Sequence, residues 1–203
     1  MARPRSDVGP RIVHAARERF LKEGVDGASL RAIARDAKTN IGMVYYYFPT
    51  KDDLFLAVVE EVYQTILRDL EDALAAKGTA RDRLERAFVR FSQTTDDEIK
   101  IVRLVVREAL ISSERLGRVI ERFQRGHLPL VLSTLADGVS EGSIDGTLPL
   151  PMLVMCTLSL GVVPQLMRRV AGSHPPFASL PKGDEMATRL ANVLFSGIGT
   201  PQK

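Results

Sequence analysis

The sequence predicts an all-α protein of about nine helices, with a three-helix domain at the N-terminus and a larger helical domain behind it. Three observations carry this. Apolar residues recur at three- and four-residue spacing along most of the 203 residues, and strand-like alternation never persists. Helix start and stop signals punctuate that pattern at regular intervals. Charge is divided unevenly: residues 1–51 hold ten Lys/Arg against five acids, whereas the remainder holds 18 against 20. The positive excess therefore sits on the small N-terminal domain, where an anionic partner would bind.

Taken in order, residues 1–9 form an N-terminal arm with basic residues at Arg3 and Arg5. Pro10 suits a first helical turn, and Ile12, Ala15, Ala16, Phe20 and Leu21 line one stripe that Gly24 ends. Val25 to Ala28 reads as a loop. Ser29 then caps a short helix carrying Leu30, Ile33 and Ala34. The pattern breaks at Ala37-Lys38-Thr39. It restarts with Asn40 as a cap and Ile41, Val44 and Phe48 as the inner face, and Pro49 stops it. A helix of two turns is not stable alone, so its inner face must pack on its neighbours. Thr39, Asn40, Gly42, Met43, Tyr46 and Tyr47 remain for the outer face. Two short helices at a tight turn, the second exposing such a face, are the build of a helix-turn-helix that reads the DNA major groove.

Residues 10–56 resemble the DNA-binding domain of the TetR (tetracycline-repressor-like) regulators. The resemblance rests on Ile12 to Phe20, Gly24, Ser29, Ile33-Ala34 and above all the run Val44-Tyr45-Tyr46-Tyr47-Phe48-Pro49-Thr50-Lys51-Asp52-Asp53-Leu54-Phe55. It implies that Tyr45, Tyr46 and Lys51 touch phosphates or bases. Ser29, Arg31, Thr39, Asn40, Ile41, Gly42, Met43 and Tyr47 complete the expected contact set. Two positions depart from the family pattern. Lys38 stands where the family commonly has glycine, so it is expected to adopt positive φ. Ile41 replaces a lysine or small polar residue, which alters the expected contacts and not the fold.

Behind this domain, residues 51–74 form one long helix with Leu54, Phe55, Val58, Val62, Ile66 and Leu70 along one side. Asp52 and Asp53 in its first turn favour the helix dipole. The expected division is a DNA-binding domain at 1–50 and a helical domain at 51–203, with this helix as connector. Residues 81–94 place Leu84, Ala87, Phe88 and Phe91 inward and Arg83, Arg86 and Arg90 in an outer, solvated row. Residues 96–111 are apolar almost all round, predicting a buried central helix in which Arg103 and Arg107 need internal partners. Ser113 is read as the cap of a helix reaching residue 137, bent by Gly126 and Pro129. Apolar helices follow at 152–170 and 184–198.

The function classes excluded are specific. No phosphate loop, nucleophile elbow or paired-histidine zinc motif is present, so an enzyme is disfavoured. The lone Cys156 and three scattered histidines suggest no metal site, no disulfide and no cofactor. The apolar stretch 148–163 is broken by Pro149, Pro151, Thr157 and Ser159, and is read as too short to span a membrane. A cytoplasmic protein is expected. One helix-turn-helix reads only a half-site, so useful affinity needs a homodimer on a palindromic operator in double-stranded DNA. The resemblance assigns dimerisation to 152–170 and 184–198. It also implies a small-molecule effector pocket among the helices at 81–94, 96–111 and 115–137, for which Phe88, Phe91, Arg103, Arg107, Phe123 and His127 are candidates. A DNA-binding protein without an effector is the alternative.

Overall fold

A computed structural model describes residues 7–175 and 177–197, so most of the basic arm, including Arg3 and Arg5, lies outside the described residues. Ten α-helices and one 3-10 turn make up the described fold: α1 (Val8–Gly27), α2 (Leu30–Asp36), α3 (Ile41–Tyr47), α4 (Lys51–Ala75), α5 (Ala80–Ser92), α6 (Asp96–Ile111), α7 (Ser113–Gln124), α8 (His127–Ser140), α9 (Leu150–Ala171), the 3-10 turn Phe177–Ser179 and α10 (Gly183–Gly197). The tenth helix arises because Gly126 breaks the predicted 113–137 helix instead of bending it; its φ of −119° and ψ of −114° are not helical. Pro129 then sits in the first turn of α8, where its missing N–H leaves no bond unmade.

The chain packs as two compact units. One takes the chain up to Thr65 together with Asp96–Arg122, and the other takes Ile66–Thr95 and everything from Phe123 onward. This division differs from the expected cut at residue 50, and long-range polar contacts explain it. Arg107 donates to the Phe20 carbonyl at 2.7 Å, and the Val25 N–H donates to Glu108 at 3.2 Å. Arg115 reaches Asp52 and Glu108, each at 2.9 Å, and also Asp26. These bonds fasten α6 and α7 to the C-terminal end of α1 and the first turn of α4. Gly24 turns the chain here: its φ of +78° interrupts α1 and favours glycine, while a Cβ would meet Arg107 and Glu108 at 3.6 Å, an ordinary contact. What reads as a loop after Gly24 is a further helical turn ending at Gly27.

Helix α6 is not buried all round. Its buried face is Glu98, Ile101, Leu104 and Glu108, while Val106, Leu110 and Ile111 are exposed. Arg103 and Arg107 therefore lie on the surface side. The buried charge is Glu108, and its partner is Arg115. Ser112, not Ser113, caps α7 by accepting the Arg115 N–H at 3.3 Å.

In the second unit, Leu70, Leu74, Leu84, Phe88, Leu135, Ile144, Leu153, Ala191 and Leu194 form the core, and α5 packs on α8, α9 and α10. The basic row of α5 is tied down and not merely solvated. Arg83 pairs with Asp137 at 2.7 Å, Arg90 with Asp69 at 2.5 Å, and Arg86 donates to the carbonyls of Ala73, Ala76 and Lys77. Helix α9 is longer than the apolar stretch suggested: by length and a mean hydropathy of 1.7 it alone, among the described residues, could cross a membrane. It buries Leu153, Thr157, Gly161 and Gln165, and exposes Met152, Met155, Val163 and Val170.

Candidate nucleic-acid interface

The recognition segment is built from local chemistry. Ser29 accepts the Ala32 N–H at 3.4 Å and Asn40 accepts the Met43 N–H at 3.0 Å, so both short helices begin on side-chain caps. Lys38 takes φ 52°, the only positive φ at a non-glycine among the described residues, as its glycine-like position requires. Phe48 leaves the helix with φ −136° and ψ 93°, ahead of Pro49. Val44 is fully buried, and α3 packs on α1 and α2. This support lets a helix of seven residues hold its shape.

The outward face follows from that phase. Tyr46 is 78% exposed and Tyr45 53%. Asn40 and Gly42 are exposed too, with Thr39, Ile41 and Met43 half-buried beside them. Tyr47 is spent partly on packing: its ring lies 3.3 Å from a Cβ built at Gly9 and meets the Tyr46 ring edge-on at 5.3 Å. Gly42 has a local reason to lack a side chain, since a Cβ would press to 3.1 Å on the capping oxygen of Asn40. Lys51 donates to the Asp26 carbonyl at 3.0 Å, which uses one of its three ammonium protons.

Beside α3, a shallow concavity of about 450 Å³ is lined by Arg31, Ala34, Arg35, Lys38, Thr39, Asn40 and Ile41. Arg31 and Lys38 make no ion pair among the described residues, and Arg35 is mostly exposed and only 3.7 Å from its sequence neighbour Asp36. By contrast, Arg19 is held by Asp36 and Glu23, each at 2.8 Å. Those hydrogen bonds raise the Arg19 pKa and hold the Asp36 carboxyl below the ordinary range. The surface thus separates a cation fixed within the fold from more exposed cations beside α3. Lys38 and Arg35 belong to the second group and were missed by the sequence reading, although the run of positive charge from Arg31 to Lys38 is visible in it.

Residues 12–58 match the family model for bacterial regulatory proteins of the tetR family. The chain carries the DNA-binding domain of the TetR family. It is a DNA-binding transcriptional regulator, not an enzyme. Among curated TetR-like relatives, it is 26% identical over 159 residues to the probable HTH-type transcriptional regulator YttP of Bacillus subtilis, covering 77% of this chain and 76% of that one. It is 26% identical over 167 residues to the HTH-type transcriptional repressor SCO4008 of Streptomyces coelicolor, covering 80% and 82%. The fold is shared with the transcriptional regulator FadR of Bacillus subtilis, solved in complex with stearoyl-CoA. That match has a TM-score of 0.73 at 21% identity and covers 93% of this chain and 98% of that one.

The residues expected at an effector pocket are not gathered together. Phe88 is buried and Phe91 half-buried on α5, and His127 packs its ring 4.8 Å from Phe123 at the break before α8. Arg103 is exposed, and Arg107 is committed to Phe20 and Glu108 in the other compact unit. Both are corrected: neither arginine is an interior group awaiting an anionic ligand. Among the described residues no cluster of His, Cys, Asp and Glu has the makings of a metal site.

Proposed function

We propose that the chain is a homodimeric, ligand-responsive repressor that reads a palindromic operator through α3 of each copy. The carrying observation is the exposed Tyr46 face of a helix that buries Val44 on its other side. Among the described residues the Tyr46 ring meets the edge of Tyr47 and is otherwise largely open, and that exposure is best explained by an external partner. In this reading Arg31, Tyr45 and Lys51 hold phosphates. Ser29, Thr39, Asn40, Gly42, Tyr46 and Tyr47 supply polar or close contacts, and Ile41 and Met43 offer apolar contact to thymine methyls. The two copies place their α3 helices about 34–36 Å apart, one turn of the duplex.

Dimerisation is assigned to α9 and α10. Met152, Met155, Val163 and Val170 on α9 and Val193 on α10 are large, apolar and exposed, as a two-fold interface would need. Repression is favoured by the likeness to SCO4008, and an effector in the helical domain by the stearoyl-CoA complex of FadR. Phe88, Phe91, Phe123 and His127 remain the proposed pocket residues. Ligand acts by favouring a conformer whose recognition helices no longer match successive grooves.

The test is a gel shift on the DNA upstream of the gene. Tyr46→Ala together with Lys51→Ala is expected to abolish binding. Tyr46→Ala alone, at a side chain with little burial, leaves the circular-dichroism melt unchanged. Full retention of binding by the double variant refutes the interface. A monomer in sedimentation at micromolar concentration refutes the dimer.

A further inference from the structure

The buried face of α9 carries polar groups that no described residue satisfies. Leu153, Thr157, Gly161 and Gln165 recur every four residues and form its inward stripe. Thr157 and Gln165 are 2% and 3% exposed. The Thr157 hydroxyl and both polar atoms of the Gln165 amide are buried without a hydrogen-bond partner. Pro164 adds to this, since it has no N–H to give the Leu160 carbonyl within the same two turns. Between the two polar residues the packing is aromatic. A Cβ at Gly161 would lie 2.8 Å from the Phe88 ring and 3.6 Å from the Phe91 ring. Natural folds rarely leave a buried amide with neither its donors nor its acceptor used, unless something else binds there.

We propose that Thr157 and Gln165 are the hydrogen-bonding elements of a ligand site, one that takes an apolar molecule bearing a single uncharged group able both to accept and to donate, such as a carboxamide or an alcohol. This rests on the effector reading and names its chemistry. The Gln165 amide offers two donors and an acceptor, and the Thr157 hydroxyl offers one donor and accepts as well. A guest must supply the complement. Both protein groups are neutral and the flanking side chains are Phe88, Phe91 and Leu153, so an uncharged head matches the donors and acceptors on offer. The missing side chain at Gly161 lets the Phe88 ring lie close against the α9 backbone, with Phe91 beside it, so a guest enters by displacing these rings. The apolar body of the guest lies on those rings.

The experiment uses the full-length protein with four probes of equal chain length: octanamide, 1-octanol, octane and sodium octanoate. Binding is followed by thermal shift and by calorimetry, with wild type, Gln165→Leu and Thr157→Val. Octanamide and 1-octanol are expected to raise the Tm of wild type and to bind at least tenfold more weakly to each variant. Without ligand, Gln165→Leu is expected to melt about 2–6 °C higher, because an unsatisfied amide is replaced by an apolar group of similar size. Octane or octanoate matching octanamide overturns the proposal, and so does a response that persists in both variants or no response to any probe. A lower Tm for unliganded Gln165→Leu also overturns it, since the amide is then satisfied by water or protein. Operator release is measured separately by gel shift. Gln165-dependent binding that leaves the operator complex intact sinks the effector reading and spares the site; release that ignores Gln165 does the reverse.

Discussion

Replacing Arg115 should unfasten the N-terminal unit, and the structure sets the scale. Its side chain is 8% exposed and faces Glu108, 2% exposed, at 2.9 Å. It also reaches Asp52 at 2.9 Å, and Asp26 on the outer side. In Arg115→Leu the Glu108 carboxylate keeps two donors, the Val25 N–H at 3.2 Å and the Arg107 Nε at 3.1 Å, but loses its buried cation. Breaking one partner out of a buried pair costs about 3–5 kcal/mol. The remaining donors place this case near the lower end, at about 3 kcal/mol. The control is Arg118→Leu, whose pair with Asp53 is about one-third exposed on each side and so is worth at most about 1 kcal/mol. Urea denaturation followed by circular dichroism, with hydrogen exchange reporting the amides of 20–26, reads both. The double variant Arg115→Leu/Glu108→Leu removes the orphaned charge and should recover more than half of the loss. If Arg115→Leu costs no more than Arg118→Leu, the buried cluster does not hold the unit together and the reasoning fails.

Three other perturbations follow from the same geometry. Lys38→Gly relieves a left-handed backbone at φ 52° but adds chain entropy to the unfolded state, for a net gain of about 0.5–1 kcal/mol in a urea titration. Asn40→Ala frees the Met43 N–H and should cost about 1 kcal/mol and weaken operator binding as α3 frays, whereas Asn40→Ser preserves the cap and the stability in a urea titration. Acid should weaken the fold: the Arg122 guanidinium above all holds the Glu60 carboxyl below its ordinary value of 4.5. The unfolded chain therefore binds the proton more readily, so this contribution is complete well above pH 4.5 and is lost as pH falls through the lower folded value. Glu60→Gln should flatten the stability–pH curve in that window, and an unchanged slope would remove Glu60 from the account.

The N-terminal helices were legible because their determinants are local. Ser29, Asn40 and Pro49 fix helix ends within four residues of themselves, and the glycine-like turn at Lys38 follows from its position. The phase of α6 was not legible. Valine and leucine on nearly every side leave the period silent, and the choice of Glu108 over Arg103 or Arg107 as the buried charge depends on Arg115 and Val25, 7 and 83 positions away. The basic row of α5 resembled a wet surface for the same reason: its acids and carbonyls, from Asp69 to Asp137, are distant in the chain. Gly126 and Pro129 were read as a kink because their separate effects are mild, whereas the glycine dihedrals end the helix outright. Of the recognition face, the tyrosines and caps were foreseen. Lys38 and Arg35 were not, because their role depends on which neighbouring cations are already neutralised.

The interruption of α1 at Gly24 has a bearing on how such a chain can change over generations. Its two fastenings, to the carbonyl of residue 20 and the amide of residue 25, are made to main-chain atoms. Every amino acid supplies that carbonyl and all but proline supply that amide. The attachment therefore depends on the backbone path there, while the buried Phe20 and Val25 side chains answer separately to the core. Selection for it falls on the glycine that bends the path and on the arginine and glutamate that reach across.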